Sequence, residues 1–102
     1  MLETKRLEFS DFSSLVGSSF HIHNSSSHSL PLELLEAKKI GNSSAQQNTQ
    51  IDSFSLLLRG PRDSVLPQQI YSFTHSQLGE LSLFLVPVGQ DSDGIRYEVI
   101  FN

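Results

Sequence analysis

The chain has 102 residues, with seven Lys plus Arg against eleven Asp plus Glu and no cysteine. A chain of this length folds as one domain, 1–102, burying about two-thirds of its unfolded surface without staples. Without cysteine there is no thiolate catalysis, Cys-ligated zinc or iron–sulfur cluster. The net charge of −4, with no basic cluster beyond Lys5-Arg6 and Lys38-Lys39, speaks against nucleic acid and equally against an acidic partner.

Residues 1–20 lack a long apolar core and a small-residue cleavage site, and no apolar run is long enough to cross a bilayer. The expectation is a soluble protein without a classical signal peptide, either cytoplasmic or carried as part of an assembled extracellular structure.

After a polar entry, Ser10 or Asp11 is placed to cap a short helix that carries Phe12, Leu15 and Val16 at helical spacing and stops at Gly17. A helix so short needs tertiary packing to persist, so residues 1–19 are expected to plug one end of a β structure. From Phe20 the period becomes two: Phe20 and Ile22 face one way, His21 and His23 the other, and the polar run 24–29 reverses the chain. Leu30, Leu32 and Leu34 then alternate with Pro31 and Glu33. Pro31 suits an early or edge position because it cannot donate to a ladder. The shift of pattern at Leu35 predicts a bulge or an exit from the sheet.

Residues 42–50 contain no apolar side chain larger than Ala and read as a surface loop. Four strands are expected beyond it. Residues 51–59 place Phe54, Leu56 and Leu58 on one face, and Gly60-Pro61 ends that strand. Residues 69–75 place Tyr71, Phe73 and His75 together, with a turn at Leu78-Gly79. Residues 80–88 are apolar on both faces from Leu83 onward, which predicts a strand covered on both sides. Residues 89–94 read as a turn, and 95–102 return with Tyr97, Val99 and Phe101 inward. Because the chain ends in or just after a strand, loss of its last residues is expected to unfold it.

The fold these elements define is mainly β, a six-stranded antiparallel barrel or roll over 20–102 with one short N-terminal helix, and a two-sheet β-sandwich as the alternative. No segment sustains a 3.6-residue apolar period for three turns, which excludes helix-rich folds.

The strings FSLLLRGP at 54–61, LPQ at 66–68 with Tyr71, His75 and Leu78-Gly79, LFLVPVG at 83–89 with Asp91 and Gly94, and the closing YEVIFN resemble an uncharacterised family of small bacterial domains. The members' opening DF..LVG..F segment has its counterpart in Asp11-Phe12, Leu15-Val16-Gly17 and Phe20. The resemblance covers nearly the whole chain, strongly over 54–102 and weakly over 24–50. It implies no enzyme activity. It implies association with phage-tail-collar-type fibre proteins, hence a structural or assembly role.

Taken by themselves, the polar residues offer few sites. Arg59, at a strand end, can meet a carboxylate ligand or pair internally with Glu98 or Asp63. Tyr71, His75 and Tyr97 share an inward face, where they either rim a pocket or close hydrogen bonds around an aromatic core. His21, His23 and His28 form a weak metal candidate beside a serine-rich hairpin, and no metal or other cofactor is expected. The segment 91–94 has the start of a calcium loop without its later acid, and Asp-Gly is equally an ordinary hairpin turn. The chain contains no G-x-S-x-G elbow, and its glycines, at 17, 41, 60, 79, 89 and 94, are spread as turn punctuation rather than as a phosphate cradle. The expected function is a non-catalytic structural or protein-interaction protein, such as a subunit, cap or assembly factor of a phage-tail-like fibre. It would bind a protein partner or itself through a strand edge or the loops 61–67 and 41–50. A small-ligand-binding barrel using Tyr71, His75 and Tyr97 is the alternative.

Overall fold

The computed structural model describes residues 7–23, 29–40, 53–63 and 65–101. The helix is α1 (Phe9–Ser13) and the strands are β1 (Ser19–His23), β2 (Ser29–Lys39), β3 (Phe54–Gly60), β4 (Gln69–His75), β5 (Gly79–Asp91) and β6 (Gly94–Phe101). They close into an antiparallel barrel in the order β1-β2-β3-β6-β5-β4, with β4 returning to β1. The loop region 42–50 and the start expected for β3, residues 51–52, lie outside the described residues.

Closure depends on two long strands that each pass from one partner to another along their length. β2 pairs with β1 from Ser29 to Glu33 and with β3 from Glu33 to Lys39. The change of partner falls at the irregularity between Leu34 and Glu36, which is the bulge expected at Leu35. β5 pairs with β4 from Gly79 to Leu85 and with β6 from Val86 to Asp91, with a second irregularity between Pro87 and Gly89. The barrel is thus two four-stranded halves sharing their bent strands, which is why both a barrel and a sandwich fit the sequence.

Pro31 is tolerated for a reason that the register supplies. Leu34 turns both its N–H and its C=O towards the end of α1, donating to Ser18 O and accepting from Gly17 N, each at 2.9 Å. Backbone groups alternate along a strand, so Pro31 points towards β3. There the ladder has already ended at Glu33↔Arg59, and the missing N–H leaves no partner unsatisfied.

The interior follows the alternation. Phe20, Ile22, Leu32, Leu34, Phe54, Leu56, Leu58, Phe73, Leu85, Tyr97 and Val99 are all buried. α1 closes the end of the barrel where β3 starts and β6 finishes. Phe12 is fully buried there, 5.8 Å from Phe54, 5.2 Å from Phe101 and 6.2 Å from Phe20 between ring centroids. The helix begins two or three residues earlier than expected. Glu8 is the N-cap, and its N–H donates to Asp11 Oδ2 at 2.8 Å. Starting there places Phe9 against Phe54 in an edge-on contact at 5.9 Å, with Lys39 Nζ over the Phe9 ring at 5.3 Å from its centroid. Val16, expected on the packed face, is 47% exposed, because the chain leaves the helix after Ser13.

Two further expectations are corrected. The second half of β5 is not covered on both faces: Phe84 and Val88 are about half exposed. Apolar residues on both faces give the pattern of a sandwiched strand, but here the outer set faces solvent. The expected turn over 89–94 is also shorter, since β5 continues to Asp91 and only Ser92 and Asp93 form the turn.

At the opposite end, β3 and β6 approach each other through two glycines. A Cβ on Gly94, whose φ is +155°, would collide with the Gly60 carbonyl oxygen and meet Arg59 Cγ at 3.0 Å. Gly79 also has positive φ, +76°, but faces open space. Gly94→Ala is therefore expected to lower unfolding stability by roughly 2–4 kcal/mol, combining overpacking with backbone strain. Gly79→Ala should cost about 1 kcal/mol from strain alone. Urea titration of the two variants against the parent checks the ordering. In the same assay Phe12→Ala should cost about 3–5 kcal/mol as a core cavity.

Candidate functional site

The inward polar side chains occupy opposite ends of the barrel. At the loop end, the Leu66 N–H donates to Tyr97 Oη at 2.9 Å, and Tyr71 Oη donates to the Pro67 carbonyl at 2.7 Å. Together they pull the loop between β3 and β4 across the opening and seat Leu66 in the core. Burial, with Tyr97 nearby, raises the Tyr71 phenol above its ordinary pKa. Burial likewise raises that of Tyr97, opposed by the Leu66 N–H. Both therefore stay neutral, as groups that brace a loop should.

At the helix end stands His75, the one buried polar residue among the described core, its ring centroid 4.5 Å from that of Phe20. Its Nδ1 accepts from the Gln77 N–H at 3.0 Å, so that nitrogen carries no proton. The neutral ring then holds its hydrogen on Nε2 and donates it to Ser18 Oγ at 2.9 Å, and Ser18 Oγ–H donates to the Leu15 carbonyl at 2.6 Å. This relay ties β4 to the junction between α1 and β1.

A Ser–His pair at 2.9 Å invites comparison with a hydrolytic dyad. The proton is on the wrong nitrogen for that role, because a general base must present a bare nitrogen to the serine. The serine hydrogen is also directed at a backbone carbonyl, away from any approaching carbonyl carbon.

Arg59 does not pair with Glu98 or Asp63 as the sequence suggested. Its Nη2 meets Glu33 Oε1 at 2.8 Å, across the β2–β3 rung that places the two residues opposite each other, and Nη1 lies 3.9 Å from Asp93. Arg96, its partner across β3–β6, is held by Asp91 Oδ2, at 2.9 Å from Nε and 2.7 Å from Nη2. Two arginines on one rung would repel, and three carboxylates keep the pair apart in charge. Asp91 also accepts from the Asp93 N–H at 2.9 Å, and that bond leads Arg96 in lowering its pKa. The carboxylate that suggested the start of a calcium loop thus serves the hairpin itself.

Glu98 stands apart. It faces outward on β6, and its rung neighbours are Leu57 on β3 and Val86 on β5. Among the described residues no ion pair reaches it. His21 and His23 also face outward on β1, with His23 Nε2 3.2 Å from Thr74 Oγ1. His28 lies outside the described residues, and among those described no group of three metal-ligating side chains comes together.

Sequence reading found Tyr71, His75 and Tyr97 as inward groups but missed their partners Ser18, Leu66 and Gln77. The backbone donors of Leu66 and Gln77 carry no side-chain signal, and Ser18 meets His75 from 57 residues away in the chain. It also missed Ile70 and Phe84, which form one outward rung of β4–β5 and are 65% and 47% exposed. Ile70 is the one apolar residue set opposite to Tyr71 and Phe73 in the alternation, and that signal was available.

Fold and side chains together define a small closed antiparallel barrel, plugged at one end by a helix and at the other by a loop. The chain belongs to the family described as Domain of unknown function (DUF6916), whose model matches residues 7–101. No curated protein and no solved structure matches it. Among the described residues no helix is long and apolar enough to cross a membrane.

The relay makes a pH prediction. Burial, followed by the charge of His21, lowers the pKa of His75 below its ordinary value. The unfolded chain then binds the extra proton more readily than the folded one. The contribution to stability is whole above about pH 6.5 and is lost as pH falls below it towards the folded pKa. Urea midpoints at pH 7.5 and 5.5 should drop for the parent chain and drop less for His75→Gln, whose amide can still donate to Ser18. The rest of the chain is the same in both proteins, so the difference between the two drops isolates His75.

Proposed function

We propose that this domain is a non-catalytic interaction module, a unit that docks against another protein through its outer wall. The observation that carries this reading is the contrast between inside and outside. The polar tips of Tyr71, His75 and Tyr97 all engage backbone groups or Ser18, whereas Ile70 and Phe84 form an exposed rung of β4 and β5 and Ile100 is exposed on the neighbouring β6. Exposed large apolar side chains grouped on one face mark contact surfaces.

The contact is placed on the wall and not on a strand edge. Each of the six strands takes part in two ladders, so among the described residues no strand is a free border along its whole length. A small-ligand barrel would need inward polar groups able to reach a guest, and their engagement supports the interaction reading over it. The narrower role, as subunit, cap or assembly factor of a phage-tail-like fibre, rests on the sequence resemblance.

Co-expression with the products of the genes adjacent to its own tests the proposal. The expected outcome is a stable complex with at least one of them, seen by light scattering coupled to size exclusion. Elution at the mass of a single chain, 11.4 kDa, in every combination would overturn it.

A further inference from the structure

Registers along the outer wall set Glu98 among apolar neighbours, with Glu36 beyond Leu57 and Lys38 beyond Ser55 on the same face. One rung reads Leu57, Glu98, Val86 across β3, β6 and β5, and another reads Ile70, Phe84 across β4 and β5. Ile100 lies two residues beyond Glu98 on β6, on the same face, and is 49% exposed. Phe84 stands in the same relation to Val86 on β5. The β5–β6 ladder ends at Val86↔Glu98, so Phe84 and Ile100 flank the place where the two strands part.

Glu98 is thus a carboxylate framed by Leu57, Val86, Ile100 and Phe84, without an ion pair among the described residues. The nearby arginines are committed elsewhere: Arg59 to Glu33 and Asp93, and Arg96 to Asp91. An acidic group in an apolar frame gains most from a partner that brings its own cation and covers the frame, because exclusion of water strengthens the pair. Arginine suits this best, since its planar fork matches a carboxylate and its stem packs on apolar neighbours.

Building on the interaction reading above, we propose that this face binds a segment of another protein that carries a single basic side chain between apolar ones, with the base set on Glu98. A second copy of the chain fits poorly. Ile70, Phe84 and Ile100 offer three apolar side chains, where a stable complex of standard size covers about 800 Å² and roughly 20–30 residues per partner. A short segment is the better match.

The test is selection from a random surface-displayed library of short peptides, on the parent domain and on Glu98→Lys and Phe84→Ser. Both substitutions lie on the outer wall, and retention of the parent melting temperature confirms that each variant is folded. The expected result is enrichment of peptides with one Arg or Lys between apolar residues, weakened at least about tenfold by either substitution, which corresponds to about 1.4 kcal/mol. Selection on Glu98→Lys should instead enrich Asp or Glu at the same place. Absence of enrichment, or enriched peptides indifferent to both substitutions, overturns this site. Peptides indifferent to both would still leave the domain an interaction module, and its standing is decided separately by the co-expression result. Concentration-dependent dimerisation abolished by Phe84→Ser would assign the face to a second copy and also overturn the proposal.

Discussion

Everything in this small domain depends on two strands that change partner along their length. β2 and β5 are long enough to bend, and each bend is marked by a local irregularity, one after Leu34 and one at Val88 beside Pro87. Without those bends the six strands would stack as two open sheets with unpaired borders. With them the sheet closes, and closure is the surest protection against edge-to-edge association. The seam is the shortest ladder, β1 against β4 over His21, Ile22 and His23.

Closure then decides what the interior is for. A barrel this narrow is filled by its own side chains, and its two ends are stoppered by unlike devices. Phe12 from α1 completes a group of aromatic rings at one end, while Leu66 is drawn in at the other by the phenols of Tyr71 and Tyr97. The buried imidazole of His75 satisfies both ring nitrogens, one through Gln77 and one through Ser18. These groups hold the ends of the barrel to its wall, and that assignment moves attention to the outside, where Glu98 sits among apolar neighbours.

The fold was legible where period alone decides it. Alternation from Phe20 onward separates inward from outward residues in every strand, and the loss of alternation after Leu34 marks the bulge. What period cannot convey is register. Arg59 meets Glu33 because β2 and β3 align those two residues, a fact about pairing between distant segments that neither strand records by itself. Period also fails to say whether an outer apolar residue is covered: Phe84 and Val86 look like half of a sandwiched strand, yet Phe84 faces solvent. The Gln77 partner of His75 and the Leu66 partner of Tyr97 were hidden for a simpler reason, since a backbone N–H has the same appearance in any sequence.

The central claim is that the barrel is closed through its β1–β4 seam as firmly as elsewhere. The alternation that turns Leu34 towards the start of β1 makes the His21, His23, Ser72 and Thr74 amides the ones that cross this seam. Native-state hydrogen exchange on these amides measures its strength directly. The closed barrel predicts that they open only with global unfolding, at the same free energy as the β3–β6 amides. Exchange at the seam through a low-energy opening, while β3 and β6 stay protected, would contradict it.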